Sequence, residues 1–225
     1  MTPEEFSACK SALAFLDYPT IVELGAHNGD DTPEFAKMVH FPNSLNPHEV
    51  GSFLHIMVEP DPRNCQAILD REHFPPLSKD RKLVIGAVAK QNEMRLFHFC
   101  NGAHGSGSLL RPTDHEIYFP GIKFESAGMV QCYTLDTLFK KFWLGKIDLL
   151  WVDVQGAEQE VIQGGRCALA KTRYLFMEAE EDRALYDGQA LKPELLAMLP
   201  GWELVEDFGY NVLLRNTNFV PPWGK

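Results

Sequence analysis

Two stretches decide how this chain reads: Ile21-Val-Glu-Leu-Gly-Ala-His-Asn-Gly-Asp30 and, downstream, His55-Ile-Met-Val-Glu-Pro-Asp61. Each is a short apolar run that ends in a turn carrying a carboxylate and small residues. Runs of this length bounded by glycine or proline read as buried strands, and in open α/β sheets ligands gather outside the strand C-termini. Gly25 and Gly29 offer bare backbone in the first turn, and Glu59 ends the second strand, placed to accept from both hydroxyls of a ribose. The glycines read G-x-x-x-G and not the G-x-G-x-x-G that brings backbone against a dinucleotide pyrophosphate. The spacing therefore favours an adenosyl group without pyrophosphate, which puts S-adenosylmethionine ahead of NAD.

Working outward, Phe6, Cys9, Leu13 and Leu16 recur near the helical period and predict a leading helix over 1–18. Thr32-Pro33 supplies an expected N-cap and a proline at the first helical position, with Phe35, Met38 and Val39 on the buried face. Residues 41–52 read as a loop insertion, Phe53–Val58 as the second strand, and Asp61-Pro62 as the start of a helix that stops before Pro75-Pro76. Cys65, Ile68 and Leu69 share that helix's expected core face. Leu83–Ala89 reads as a third buried strand and Met94–Cys100 as an antiparallel one. Asn101-Gly-Ala-His-Gly-Ser-Gly-Ser108 favours turns, as a linker or as a loop touching a ligand.

Further on, Leu135, Leu138, Phe139 and Phe142 mark a helix. Ile147–Val154 has the continuous apolar character of a central parallel strand. A helix from Ala157 stops near Gly164-Gly165, Tyr174–Met177 is a strand, and Pro193–Leu199 a short helix. Trp202–Val205 and Asn211–Leu214 flank a hairpin turn at Asp207-Phe-Gly-Tyr210. This alternation implies an α/β fold, a doubly wound sheet closed by one reversed strand, in a single domain whose core spans 20–215.

Composition narrows the function. A chain of 225 residues with 45% hydrophobic and 23% charged residues is an ordinary globule. A net charge of −10 argues against a nucleic-acid partner, because phosphate binding uses clustered Lys and Arg. The basic runs Lys79-Asp-Arg-Lys82 and Lys140-Lys141 are short. Five scattered cysteines without a C-x-x-C pair suit reduced thiols and a cytoplasmic location. The first residues lack a signal-peptide pattern, and no apolar run nears the ~20 residues of a membrane span.

Several segments together resemble the FkbM family of class I methyltransferases. They are Val22-Glu-Leu-Gly-Ala-His-Asn-Gly-Asp30, Val58-Glu-Pro-Asp61, Gly86-Ala-Val88, Gly107-Ser-Leu-Leu110, Tyr133-Thr-Leu-Asp136, Ile147-Asp-Leu-Leu-Trp-Val-Asp-Val-Gln-Gly-Ala-Glu158 and Phe176-Met-Glu178, in that order. The resemblance implies a mostly parallel seven-stranded sheet with a C-terminal antiparallel hairpin strand. It also implies S-adenosyl-L-methionine as cofactor and O-methylation of a small hydroxylated metabolite or sugar.

Candidate residues follow from both readings. Gly25, Ala26, His27, Asn28 and Gly29 would form the loop under the methionine end, with amides near a helix N-terminus for its carboxylate. Glu59 is the expected ribose acid; Asp61 beside it is a further cofactor candidate and the better cap for its helix. Glu23 is costly to bury unpaired and is expected to meet backbone amides or the cofactor's ammonium. Ala87 and Val88 would line adenine, and Ser106 in the Gly-Ser loop would touch the cofactor. Asp153 is placed at the reacting centre, while Asp148 and Glu158 read as structural. A base for the acceptor hydroxyl is sought among His104, His115 and Glu178, histidine having the right ordinary pKa of ~6.5. No spacing demands a metal. The competing readings are an NAD-dependent oxidoreductase, for which the third fingerprint glycine and a Tyr-x-x-x-Lys are missing, and a non-catalytic adenosyl-binding module.

Overall fold

The computed structural model describes residues 1–14, 16–39, 53–71, 80–101, 104–124 and 126–221, with only the backbone of His104. The loop insertion over 41–52 and the Pro75-Pro76 stop lie outside these residues.

Pro3–Leu13 (α1) starts with a capping box: Glu5 N–H donates to the Thr2 hydroxyl at 3.3 Å, and Thr2 N–H to the Glu5 carboxylate at 2.6 Å. Then come Thr20–Leu24 (β1), Thr32–Met38 (α2), Leu54–Glu59 (β2), Pro62–Asp70 (α3), Arg81–Ile85 (β3), Ala87–Val88 (β4) and Glu93–Phe99 (β5). After a short turn at His104–Ser106 follow His115–Tyr118 (α4), Ser126–Tyr133 (β6), Leu135–Lys141 (α5), Ile147–Val152 (β7), Glu158–Gly164 (α6) and Arg166–Leu169 (α7). Thr172–Glu178 (β8), Lys192–Ala197 (α8), Trp202–Asp207 (β9) and Asn211–Asn216 (β10) complete the chain.

Among the described residues, seven strands form one sheet in the order β3-β2-β1-β7-β8-β10-β9. All neighbours from β3 to β8 run parallel, and β10 is reversed against both β8 and β9. The reason is written in β1 and β7. Ile21, Leu149 and Trp151 pack on one face with Cys9, Leu13 and Phe35. Val22, Leu24, Ile147, Leu150 and Val152 pack on the other with Leu135, Val161 and Leu195. Alternating side chains thus meet helices on both faces, as buried parallel strands require.

Three expectations need correction. Thr32 is the first helical residue and Asp31 holds the N-cap position without a capping bond; the Thr32 hydroxyl instead points at Glu23, 3.4 Å away. Leu69, expected in the core with Cys65 and Ile68, is half exposed. The segment 83–89 is not one strand. It breaks at Gly86 (φ +151°), where an added Cβ would stand 2.5 Å from the Gln131 carbonyl oxygen. Beyond that break β4 pairs with β6, and β6 with β5, in a small second sheet.

Trp151 and Phe176 sit opposite one another on β7 and β8 with their rings stacked, centroids 3.9 Å apart. Phe176→Ala opens a cavity in the face that carries α1 and α2. It is expected to destabilise the protein by ~3–5 kcal/mol, seen as a drop of about 10 °C in the calorimetric unfolding midpoint.

Candidate functional site

The strand ends β2, β1 and β7 meet at one loop. Gly25 and Ala26 both donate their amides to the Val58 carbonyl, at 2.9 and 3.1 Å, and Asp153 N–H donates to Leu24 O at 3.0 Å. Gly25 has φ +82°, and a Cβ there would fall on the Asp153 carbonyl oxygen; only glycine lets the two backbones close. His27 and Gly29 also take positive φ, +48° and +79°. His27 N–H donates to Glu59 at 2.8 Å, Gly29 N–H to Ala26 O, and Asp30 N–H to the Asn28 side chain. The loop amides named here are therefore committed inside the protein. The loop offers shape and close backbone.

Glu59 is buried and receives three donors: His27 N–H on one oxygen, and Asp61 N–H (2.9 Å) with Asn64 Nδ2 (3.1 Å) on the other. A carboxylate accepts about four, so one position remains, on the oxygen shared with His27, where the expectation had been two. Burial pushes its pKa up to about 7. Asp61 lies outside the cavity lining: its carboxylate caps α3 through Arg63 N–H at 2.8 Å and grips the Arg63 guanidinium.

The cavity above these ends encloses about 820 Å³, mouth included. Five acids line it, Glu23, Asp30, Asp31, Glu59 and Asp153, and no Lys or Arg does among the described residues. Ala87, Val88, Phe97 and Leu109 give it an apolar wall beyond β2 and β3. Gly25, Ala26 and His27 line it as expected; Asn28, Gly29, Ser106 and Glu178 do not. Glu23 meets neither backbone amides nor open space alone: it faces His55 Nε2 at 2.8 Å. Burial favours the uncharged form of each, pushing Glu23 well up and His55 down to about 3.

Around Asp153 stands a second acid group. Gln155 Nε2 donates to Asp153 at 2.6 Å and to Glu178 at 2.9 Å, and Tyr186 OH lies 3.2 Å from Gln155 Oε1 and 2.9 Å from Ser106 O. Glu158 accepts from Val154 and Gly156 N–H, fastening the turn that leads into α6. Burial raises Asp153, Glu178 and Glu158, the last to about 7. Asp148 is structural as expected, holding Thr20 N–H at 2.9 Å and Lys146 at 2.8 Å. His115 is buried among Phe119, Phe124 and Tyr186 and stays outside the lining, which removes it as a base. The side chain of His104 lies outside the described residues. The sequence reading missed Asn64, Gln155 and Tyr186; Gln155 alone carried a signal, inside Asp153-Val-Gln-Gly-Ala-Glu158.

A cavity walled by acids suits a ligand carrying sulfonium and ammonium charges and opposes a dinucleotide's pyrophosphate. The glycine cradle and the buried ribose-sized acid fit S-adenosylmethionine. A buried acid with a raised pKa binds a proton more readily in the folded than in the unfolded chain, so stability falls as pH climbs from the unfolded value, ~4.3, towards 7. The ligand-free protein is expected to unfold at a lower temperature at pH 7.5 than at pH 5. Glu59→Gln, which has no charge to bury, should flatten that slope in a calorimetric pH series.

Residues 23–212 match the sequence profile described as the Methyltransferase FkbM domain. Over 210 residues the chain is 35% identical to the 2-O-methyltransferase NoeI of Sinorhizobium fredii (strain NBRC 101917 / NGR234), covering 88% of this chain and 80% of that protein. Its fold is similar to that of TehB from Haemophilus influenzae, TM-score 0.50 at 8% identity, over 96% of this chain and 62% of that one. A methyltransferase from Thiobacillus denitrificans in complex with S-adenosyl-L-homocysteine is similar at TM-score 0.45 and 14% identity, over 92% and 66%. The chain spans less than two thirds of either solved structure, and the likeness to TehB bears on the fold alone. The chain belongs to the FkbM family of S-adenosylmethionine-dependent methyltransferases.

Proposed function

We propose that this enzyme methylates a hydroxyl oxygen of a small hydroxylated acceptor, a sugar or another metabolite. The observation that carries the reading is the cavity at the ends of β2, β1 and β7, lined by five acids and, among the described residues, by no Lys or Arg. The 2-O-methyltransferase named above, 35% identical, supports oxygen as the acceptor atom.

The sheet order supports the following division of roles. Gly86, Ala87 and Val88, beyond β3, would face adenine, and Glu59 on β2 would take a ribose hydroxyl with its remaining acceptor position. Gly25, Ala26 and His27 would lie along the methionine chain. Asp153, at the end of β7, then falls at the sulfonium end. Bound there, the cofactor supplies an electrophilic methyl on a sulfonium that leaves as a neutral thioether. The Asp153 carboxylate would orient the acceptor hydroxyl towards that methyl and take its proton as the methyl is transferred. The loop and the apolar wall exclude water and fix alignment, the main demands of such a displacement.

Titration calorimetry with S-adenosylmethionine and S-adenosylhomocysteine should register binding by the purified protein, with NAD silent. Glu59→Ala removes a charged hydrogen bond and should weaken both ligands at least about tenfold. Transfer of labelled methyl to a panel of hydroxylated compounds, read by mass spectrometry, should place the label on oxygen. Silence with both adenosyl ligands, or equal heat with NAD, overturns the reading.

A further inference from the structure

Gln155 is the least expected residue of the site. It sits in a left-handed backbone conformation (φ +54°) that residues other than glycine seldom take, and its carbonyl is fixed by the Ser108 hydroxyl at 2.7 Å. Its carboxamide nitrogen reaches two carboxyls at once, Asp153 at 2.6 Å and Glu178 at 2.9 Å. Its oxygen faces the Tyr186 hydroxyl at 3.2 Å. The nitrogen thus bridges the two carboxyls, while the Tyr186 hydroxyl is shared between the Gln155 oxygen and Ser106 O at 2.9 Å. Asp153 and Glu178 end neighbouring strands, β7 and β8, and their carboxyls also meet directly.

We propose that Gln155 is a positioning residue: its carboxamide binds Asp153 and Glu178 into a pair that shares one proton, Glu178 holding it and Asp153 remaining the anion at the sulfonium end of the cavity. The inference rests on the placement of the cofactor given above. Two touching buried carboxyls do not both ionise. Asp153 lines the cavity and Glu178 does not; burial lifts both, and the bonds from Gln155 and Glu178 draw Asp153 back down. The other titrating groups that act on Asp153 are Asp31 and His27 from the first loop, Glu23 from β1, Glu158 from α6 and Tyr186. Without the carboxamide, Asp153 loses one of the bonds that hold it as the anion.

S-adenosylmethionine and S-adenosylhomocysteine differ by the methyl and its positive charge, so the ratio of their affinities reads the charge on Asp153. Gln155→Met keeps the side-chain length and removes both donors. At pH 7 it is expected to lower the preference for the cation at least about tenfold, with S-adenosylhomocysteine bound within about threefold of wild type. At pH 9 the preference should return, because Asp153 ionises again. Asp153→Asn should lose it at both pH values. Should Gln155→Met not fold, the unaltered protein still decides: calorimetry in two buffers of different ionisation enthalpy is expected to show no more proton release with S-adenosylmethionine than with S-adenosylhomocysteine. A wild-type ratio in Gln155→Met, a loss that pH 9 does not restore, or one extra proton released by the cation overturns the inference. Failure of wild type to bind either ligand overturns the cavity assignment instead.

Discussion

The closure of Gly25 on the Asp153 carbonyl is the contact on which the site depends. It joins the ends of β1 and β7 with no side chain between them, and every other feature is arranged around that seam. Because the backbones close there, the first loop must turn back over β2, which brings His27 N–H onto Glu59. The same closure puts the Asp153 carboxyl at the cavity wall and leaves Gln155 in a left-handed turn that bends towards β8. A sheet of apolar parallel strands supplies the rigid frame, and the chemistry sits on the few residues that leave it.

Charge gives the site its character. Five acids stand among the described residues of the lining, and burial raises Glu23, Glu59 and Asp153 above their ordinary range. Such a group of acids is uncomfortable when empty of cations, since desolvated anions repel one another. The protein manages this by setting His55 against Glu23, by the Gln155 carboxamide between Asp153 and Glu178, and by backbone donors on Glu59 and Glu158. What remains ionised is aimed at a positively charged ligand.

The main sheet was legible because its signals are local. Continuous apolar runs, glycine or Asx-Pro at their ends and helical spacing between them placed nearly every strand and helix of the core. Asp61 as a cap followed from the same chemistry. The small sheet was not legible: Ser126-Ala-Gly-Met-Val-Gln-Cys-Tyr133 is poor in β-branched residues, and it becomes a strand through long-range pairing with β5. The break at Gly86 was hidden for the same reason, as the crowding comes from Gln131 on a distant segment. In the site, strand-end acids could be read singly, but their partners could not. His55 reaches Glu23 across two strands, and Tyr186 reaches Gln155 from a loop remote in sequence.

A crystal structure of the protein with S-adenosylhomocysteine tests the central claim most directly. The expected result is a ribose hydroxyl on the Glu59 oxygen that faces His27, adenine against Ala87 and Val88, and the sulfur on the Asp153 side of Gly25. A nucleoside bound elsewhere, or one whose ribose leaves Glu59 untouched, would contradict it.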